Sequence, residues 1–193
     1  MHDRKKGTKI NMVYVFLAEG FEEIEALTPV DVLRRAGAKV VTVGVTGKVV
    51  NGSHAVPVTA DVTADEALSM IGSEKLEMIV LPGGMPGADN LNKSDAVDTF
   101  IKEAVASGAF IGAICAAPYV LGVRGLLSGR MATCFPGFED RLDGAQYYDC
   151  DVIRDNEFIT GRAMGAATEF ALELCAALYG DDFAEDMRGK ILA

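Results

Sequence analysis

The sequence predicts an α/β fold in three layers, with a mostly parallel sheet covered by helices on both faces. Short apolar runs of about four to eight residues alternate with amphipathic segments along the 193-residue chain. The apolar runs are continuous, as in strands that are buried on both faces. Half of the residues are apolar but only 7% are aromatic, so small and branched aliphatic side chains supply the packing.

The elements follow one another with recognisable boundaries. Acidic residues open the helix at 22–36, Arg34 and Arg35 close it, and Gly37 ends it. Pro29 lies inside this helix and is expected to distort it. The predicted strands are 12–17, 39–45, 56–58, 78–81, 109–114, 131–134, 150–154 and 157–161. The predicted helices are 22–36, 64–71, 95–107, 116–127, 165–179 and 182–191, with a turn or short helix at 137–142.

Turn signals divide two of these regions. Asn51-Gly52 precedes a short strand, and Asp155-Asn156 separates two runs that resemble a hairpin. Residues 1–11 are polar and basic, so we expect a disordered lead followed by a single domain at 12–193.

The bulk composition excludes several classes of function. A net charge of −10 disfavours binding to nucleic acid and to anionic membrane surfaces, and no run reaches the length of a membrane span. The four cysteines include no C-x-x-C pair, which predicts reduced thiols in a cytoplasmic protein. His2 and His54 are far from any paired cysteines, so we expect no metal site.

Cys115 lies where the strand at 109–114 runs into the helix that Pro118 opens. Small residues on both sides allow the sharp bend of a nucleophile elbow, although the G-x-S-x-G pattern itself is not met. The free N–H groups at a helix start predict a lowered Cys115 pKa. The amides of Ala116 and Gly84 are candidate oxyanion donors. For Cys115 the alternative is a buried structural thiol, but its position and small neighbours favour the functional interpretation. For Cys134 and Cys175 we prefer the structural interpretation, and Cys150 is undecided.

Other features are less specific when taken alone. The loop at 82–87 resembles a phosphate cradle, but no G-K-[ST] follows, so a tight turn remains equally compatible. Glu22 and Glu25 share a helix face, where simple compensation of the helix dipole is the preferred interpretation. No histidine follows Cys115, which argues against a glutaminase or papain-like enzyme. Only His54 could act as a base, and an exposed turn residue is the simpler interpretation.

Five segments together resemble the ThiJ/PfpI superfamily, in the glyoxalase III-like branch of the human parkinsonism-associated deglycase. The resemblance covers 12–192 and is carried by 17–25 (LAEGFEEIE), 29–37 (PVDVLRRAG), 81–84 (LPGG), 113–118 (AICAAP) and 169–172 (EFAL). It implies a flavodoxin-like sandwich, a homodimer with active sites near the interface, and no cofactor.

The resemblance also implies roles for individual residues. Cys115 matches the reactive cysteine, and Glu25 matches a protonated glutamate that hydrogen-bonds the cysteine sulfur. Glu22 matches a second acid of the pocket, and Gly84 and Ala116 match the oxyanion amides. The implied activity is a glyoxalase or deglycase reaction on 2-oxoaldehydes such as methylglyoxal, or on their adducts. The alternative is a redox-sensing or chaperone-like stress protein whose cysteine is oxidised to sulfinate.

Two departures from the family pattern affect these expectations. Phe135 stands where the named deglycase has a histidine near its cysteine, and an aromatic ring cannot shuttle a proton. We therefore hypothesise that His54 reaches Cys115 of a partner chain and partly replaces that histidine. Ala116 follows the cysteine where the protease branch carries a histidine, so proteolysis is not expected.

Overall fold

The centre of the protein is a seven-stranded sheet flanked by helices. The computed structural model describes residues 11–193, so residues 1–10 of the predicted lead lie outside the described residues. Asn11, which was assigned to that lead, begins the first strand. In chain order the strands are β1 (Asn11–Leu17), β2 (Lys39–Gly44), β3 (Val49–Asn51), β4 (Pro57–Thr59), β5 (Val62–Thr63), β6 (Lys75–Leu81), β7 (Phe110–Ile114), β8 (Met131–Ala132), β9 (Gln146–Tyr147), β10 (Val152–Asp155) and β11 (Phe158–Gly161). The α-helices are α1 (Glu23–Arg35), α2 (Ala64–Met70), α3 (Gly87–Asn92), α4 (Asp95–Ser107), α5 (Pro118–Gly122), α6 (Ala167–Tyr179) and α7 (Asp181–Ile191).

The main sheet has the strand order β10-β11-β7-β6-β1-β2-β5. All neighbours are parallel except β10 and β11, which form the predicted antiparallel hairpin around Asn156. The predicted α/β fold with a mostly parallel sheet is therefore confirmed. Strands β3 and β4 form a separate hairpin, and β8 pairs with β9.

Alternate residues of the central strand β1 serve two apolar cores. Tyr14 and Phe16 pack on one side, where both rings contact Phe100 of α4, with centroids 4.8 and 5.1 Å away. Val13 and Val15 face the opposite side, where α1, α6 and α7 contribute the apolar partners. Both faces of the sheet are thus covered, which explains the continuous apolar runs.

Helix α1 begins and ends as the sequence predicts. The carboxylate of Glu22 caps its first turn by accepting from the backbone N–H of Glu25 at 2.8 Å. Gly37 follows the last turn with φ +87°, a conformation that glycine adopts without strain. The helix is not interrupted at Pro29. The first turn of this helix places Glu25 at the edge of the sheet where the parallel strands end.

One predicted helix is too long, and one helix was not predicted. The helix expected at 116–127 is only the five-residue α5, and turns follow it. Gly122 packs so closely that an added Cβ would lie 2.3 Å from the carbonyl oxygen of Arg141, and Gly125 has φ +68°, which a right-handed helix does not allow. The sequence analysis also missed α3, which starts within the glycine-rich segment at Gly87.

No helix within residues 11–193 combines the length and apolar character needed to cross a membrane.

Candidate active site

Cys115 occupies a strained turn at the carboxyl end of strand β7. Its φ of +64° lies in the left-handed region, which costs a non-glycine residue about 1–2 kcal/mol. Three backbone hydrogen bonds hold the turn: the N–H of Cys115 donates to Gly161, its carbonyl accepts from Phe135, and the N–H of Ala117 donates to Ile114. Strain that is held so firmly indicates a functional position. The predicted elbow is thus present, although its geometry does not establish a nucleophile.

The glycine-rich loop after β6 closes directly over this turn. A Cβ on Gly83 would lie 2.7 Å from the Cβ of Cys115 and 2.7 Å from Oε2 of Glu25. The carbonyl of Gly83 accepts from the N–H of Glu22 at 2.9 Å, which ties the loop to the start of α1. Gly84 has φ +82°, and a Cβ there would lie 2.4 Å from the nitrogen of Glu22. Glycine is therefore required at both positions for the three segments to meet.

Glu25 is fully buried beside the Cys115 thiol. Its Oε2 accepts a hydrogen bond from the N–H of Gly83 at 2.9 Å. Its Oε1 is buried and forms no hydrogen bond with a described residue, while the carboxyl group interacts with the neighbouring Cys115 thiol. Burial without a donor for Oε1 favours the protonated carboxyl over the carboxylate.

The electrostatic setting of the pair follows from burial. The pKa of Glu25 is raised to about 7, chiefly by burial and also by the charge of Glu22, whereas the contacts with Cys115 and the Gly83 N–H oppose the rise. The pKa of the Cys115 thiol is raised to about 12, chiefly by burial and also by the neighbouring Glu25 carboxylate. Hydrogen bonds from the amides of Gly84 and Ala116 lower it only in part.

The expectation of a lowered Cys115 pKa is therefore wrong. The prediction considered the helix end alone. In the structure α5 starts three residues after Cys115, and the thiol is buried beside the carboxyl group of Glu25. At neutral pH the thiol keeps its proton and Glu25 is about half protonated, because the pKa of Glu25 is near 7 and that of Cys115 is far above it.

A second ionisable cluster lies next to this site, at the tip of the β3–β4 hairpin. The backbone N–H of His54 donates to Oε1 of Glu23 at 2.8 Å, and Nδ1 of its ring lies 3.0 Å from Oε2. Burial would raise the pKa of Glu23, but the hydrogen bonds from His54 prevail and lower it to about 2. The hydrogen bond to Glu23 in turn raises the pKa of His54.

The remaining residues singled out by the sequence lie around the elbow or within the cores. Phe135 is 43% exposed, and its N–H donates to the carbonyl of Cys115 at 2.8 Å. Cys134 and Cys175 are fully buried, as expected of structural thiols. Cys150 is half-buried, and its sulfur lies 3.6 Å from the carbonyl of Val152.

Comparison with known proteins establishes the family. The model of the DJ-1/PfpI family matches residues 11–177. The chain belongs to the DJ-1/PfpI family. Protein dj-1beta of Drosophila melanogaster is 37% identical over 182 residues, which cover 92% of this chain and 95% of that protein. The glutathione-independent glyoxalase DJR-1.2 of Caenorhabditis elegans is 34% identical over 166 residues, or 85% of this chain and 86% of that protein.

Solved structures of DJ-1 proteins confirm the flavodoxin-like architecture. Drosophila melanogaster DJ-1beta superposes with a TM-score of 0.87 at 34% identity, covering 97% of this chain and 99% of that one. Oxidised Toxoplasma gondii DJ-1 gives a TM-score of 0.86 at 37% identity, covering 94% and 97%. The fold implied by the sequence resemblance is thus confirmed on independent grounds.

The structure brings most of the candidate residues of this DJ-1/PfpI protein together. Cys115, Glu25, Gly84 and Ala116 meet at one point, and Glu22 lies one helical turn from Glu25. His54 instead contacts Glu23 of its own chain.

Two residues of this region were missed. The sequence analysis named Gly84 but not its neighbour Gly83, and it treated Glu23 as one of several acids at a helix start. The Gly83-Gly84 pair is a sequence signal that could have identified Gly83. No local sequence signal identifies Glu23, because its role depends on the contact with the hairpin.

Proposed function

We propose that this protein is a cofactor-free, cysteine-dependent glyoxalase or deglycase-type enzyme that acts on 2-oxoaldehydes such as methylglyoxal or on their adducts. The observation that carries the proposal is the fully buried carboxyl group of Glu25, which interacts with the thiol of Cys115 on a strained elbow and whose Oε1 accepts no hydrogen bond from a described residue. Family membership supports the reaction class, since the Caenorhabditis elegans relative is named a glutathione-independent glyoxalase.

The first step is addition of the Cys115 sulfur to the aldehyde carbon. Because the thiol pKa is raised to about 12, the free thiol is protonated at neutral pH and must lose its proton as the C–S bond forms. Glu25, whose pKa is raised to about 7, is about half ionised at neutral pH, and its carboxylate form accepts that proton. The N–H groups of Gly84 and Ala116 stabilise the resulting oxyanion, at about 3–4 kcal/mol per donor in favourable sites.

The second stage converts the hemithioacetal to a hydroxy acid. Glu25 first gives the thiol proton to the oxyanion, which completes the hemithioacetal and restores the carboxylate. The carboxylate then transfers the proton from the former aldehyde carbon to the neighbouring carbonyl carbon through an enediol, which leaves a thioester on Cys115. Water then cleaves the thioester and releases lactate when methylglyoxal is the substrate. The sum is methylglyoxal plus water to lactate, so no external oxidant or reductant is required.

The decisive experiment is an assay of lactate formation from methylglyoxal with the wild type, Cys115→Ala and Glu25→Gln. We expect turnover in the wild type and its loss in Cys115→Ala. Wild-type protein without turnover, or equal turnover in Cys115→Ala, would refute the proposal. Cys134→Ala is a matched control, because that thiol is fully buried in a core and outside the proposed chemistry.

A redox-sensing or chaperone-like stress protein is the second candidate. It is supported by family membership and by the solved Toxoplasma gondii relative, which is described as oxidised. The raised thiol pKa weighs against it, because the thiolate is the form that peroxide oxidises. Mass spectrometry after mild peroxide discriminates: selective addition of two oxygen atoms to Cys115, in a protein without methylglyoxal turnover, would favour this candidate.

We also propose that the protein acts as a homodimer. Ile24 and Leu27 are exposed on α1, and Val49 and Val56 are exposed on the β3–β4 hairpin, which is bonded to the start of α1 through Phe21 and Gly52. Adjacent exposed apolar side chains are typical of an interface. In such a dimer His54, on the same hairpin, is the residue we hypothesise to reach the partner's active site. Sedimentation of the wild type against Ile24→Glu tests the dimer, which the introduced charge should dissociate.

A further inference from the structure

Glu22, Glu23 and His54 bring three metal-binding atoms together where α1 meets the β3–β4 hairpin. One carboxylate oxygen of each glutamate and one ring nitrogen of His54 lie within 4.8 Å of one another. We propose that this cluster binds a divalent transition-metal cation of the zinc type. The sequence argument against a metal site concerned cysteine–histidine ligation, and it does not apply to a site built from carboxylates and an imidazole.

The donor set selects the class of cation. Zinc accepts imidazole nitrogen together with carboxylate oxygen and needs only three or four ligands. Magnesium and calcium prefer six or more oxygen ligands, which three side chains with one nitrogen do not supply. Two carboxylates also balance the charge of a divalent cation, so binding leaves no net charge in the cluster.

Glu23 and His54 already place two ligand atoms side by side. The Glu23 side chain is 9% exposed and lies against Gly52, where an added Cβ would be 2.3 Å from the carboxyl carbon. Nδ1 of His54 lies 3.0 Å from Oε2 of Glu23. A cation that takes the place of the proton between these two atoms would be bound by both, while Oε1 of Glu23 keeps its hydrogen bond from the backbone N–H of His54.

The atoms that a cation would use are available. Within residues 11–193, Glu22 uses Oε2 to cap α1 but forms no hydrogen bond through Oε1. The hydrogen bonds at the hairpin tip, which include Ser53, account for Glu23 and for Nδ1 of His54 but give this Glu22 oxygen no role. Oε1 of Glu22 can therefore serve as the third ligand.

A small movement completes the geometry. Zinc bonds of about 2.0–2.2 Å place neighbouring ligand atoms about 3–3.5 Å apart. The His54 side chain is 74% exposed, so its ring can turn toward Glu22 while the buried Glu23 stays in place. Solvent then supplies the remaining ligand. A ring held in this way faces its own chain, which makes metal binding an alternative to the reach toward a partner's Cys115.

Zinc titration by calorimetry tests the proposal without reference to catalysis. All proteins would carry His2→Ala, so that the second histidine of the chain cannot contribute. We expect one Zn²⁺ per chain, with the dissociation constant at least about tenfold weaker in His54→Ala and in Glu22→Gln. The glutamine keeps a carbonyl oxygen to cap α1, so the second variant should fold.

Glu19→Gln is the matched control. Glu19 bonds Asn51 on the same hairpin but lies outside the cluster, so its loss changes the charge without removing a ligand. We expect an effect within about twofold, since a remote surface charge acts only through a screened interaction. Absence of saturable binding, unchanged binding in His54→Ala, or equal weakening in Glu19→Gln would each overturn the proposal. So would a sulfur-to-metal charge-transfer band in the Co²⁺ complex, because it would place the cation on a thiolate.

Discussion

The backbone N–H of Phe135 donates a hydrogen bond to the carbonyl of Cys115, with nitrogen and oxygen 2.8 Å apart. This bond fixes the backbone of residue 135 beside the proposed nucleophile. The side chain there is a 43% exposed phenyl ring, which cannot carry a proton. We predict that Phe135→His raises methylglyoxal turnover by about tenfold to a hundredfold, because a neutral imidazole adds general acid–base catalysis.

Phe135→Leu separates proton transfer from a change of shape. It also removes the aromatic ring but adds no titratable group, so its turnover should stay near that of the wild type. The gain in Phe135→His should decline below the pKa of the new imidazole, because protonation removes the base. Equal turnover in the histidine and leucine variants would contradict the prediction.

Glu25→Gln should change the titration of Cys115 in a defined way. In the wild type the coupled pair loses one proton near pH 7 and the other near 12. Without the carboxylate a single thiol step remains, which should lie between these values. It should lie below the upper value because the repulsion by Glu25 is gone, and above the lower value because burial still raises the thiol pKa. The pH dependence of iodoacetamide alkylation reports this step directly.

Turnover by Glu25→Gln should fall by about a hundredfold or more, since an amide cannot accept the thiol proton. Alkylation at high pH should nevertheless remain, because the sulfur itself is intact. This separation identifies Glu25 as a proton carrier rather than a structural residue. Parallel loss of alkylation at every pH would indicate a collapsed site and would contradict the assignment.

Gly83→Ala should disrupt the site by crowding. The new methyl group would lie 2.7 Å from the Cβ of Cys115, 2.7 Å from Oε2 of Glu25 and 2.8 Å from the carbonyl of Ile114. Such overpacking costs about 1–3 kcal/mol of unfolding free energy, and it displaces the two proposed reacting groups. Urea unfolding and the methylglyoxal assay should therefore both show a loss.

Gly189→Ala should change stability in the opposite direction. Gly189 lies in α7 with an ordinary φ, and an added Cβ meets nothing within 4 Å. The change should stabilise the protein by about 0.5–1 kcal/mol through backbone entropy, with turnover unchanged. Destabilisation in both variants would mean that the packing around Gly83 is not the cause.

The sequence predicted the elements whose signals are local. Helix α4 matches its predicted bounds because Ser94 caps its start and Gly108 ends it in the left-handed conformation. The elbow at Cys115 was recognised because an apolar strand, small neighbours and Pro118 are adjacent in the chain. Glu25 was assigned a functional role only through the family resemblance, because its burial depends on Gly83, which is 58 residues away.

Long-range contacts explain what the sequence could not provide. The Cys115 pKa was predicted in the wrong direction because the nearby charge comes from α1 and the burial from several segments. The helix after Cys115 was predicted too long because Gly122 must pack against the chain near Arg141. The contact of Glu23 with His54 likewise joins residues 31 apart, so neither residue signals it alone.

The Glu23–His54 contact should make folding stability depend on pH within a definite window. The pKa of Glu23 falls from 4.5 to about 2, so its contribution is present above pH 4.5 and is lost as the pH falls through 2. The pKa of His54 is raised above 6.5, so its contribution is complete below pH 6.5 and is lost as the pH rises through the folded-state value. The difference in unfolding free energy between wild type and His54→Ala should therefore be largest between pH 4.5 and 6.5.

Asp31→Asn, which breaks the ion pair with the permanently charged Arg35, should show no corresponding decline above pH 6.5. A difference for His54→Ala that stays constant from pH 3 to 9 would show that this pair does not couple protonation to folding.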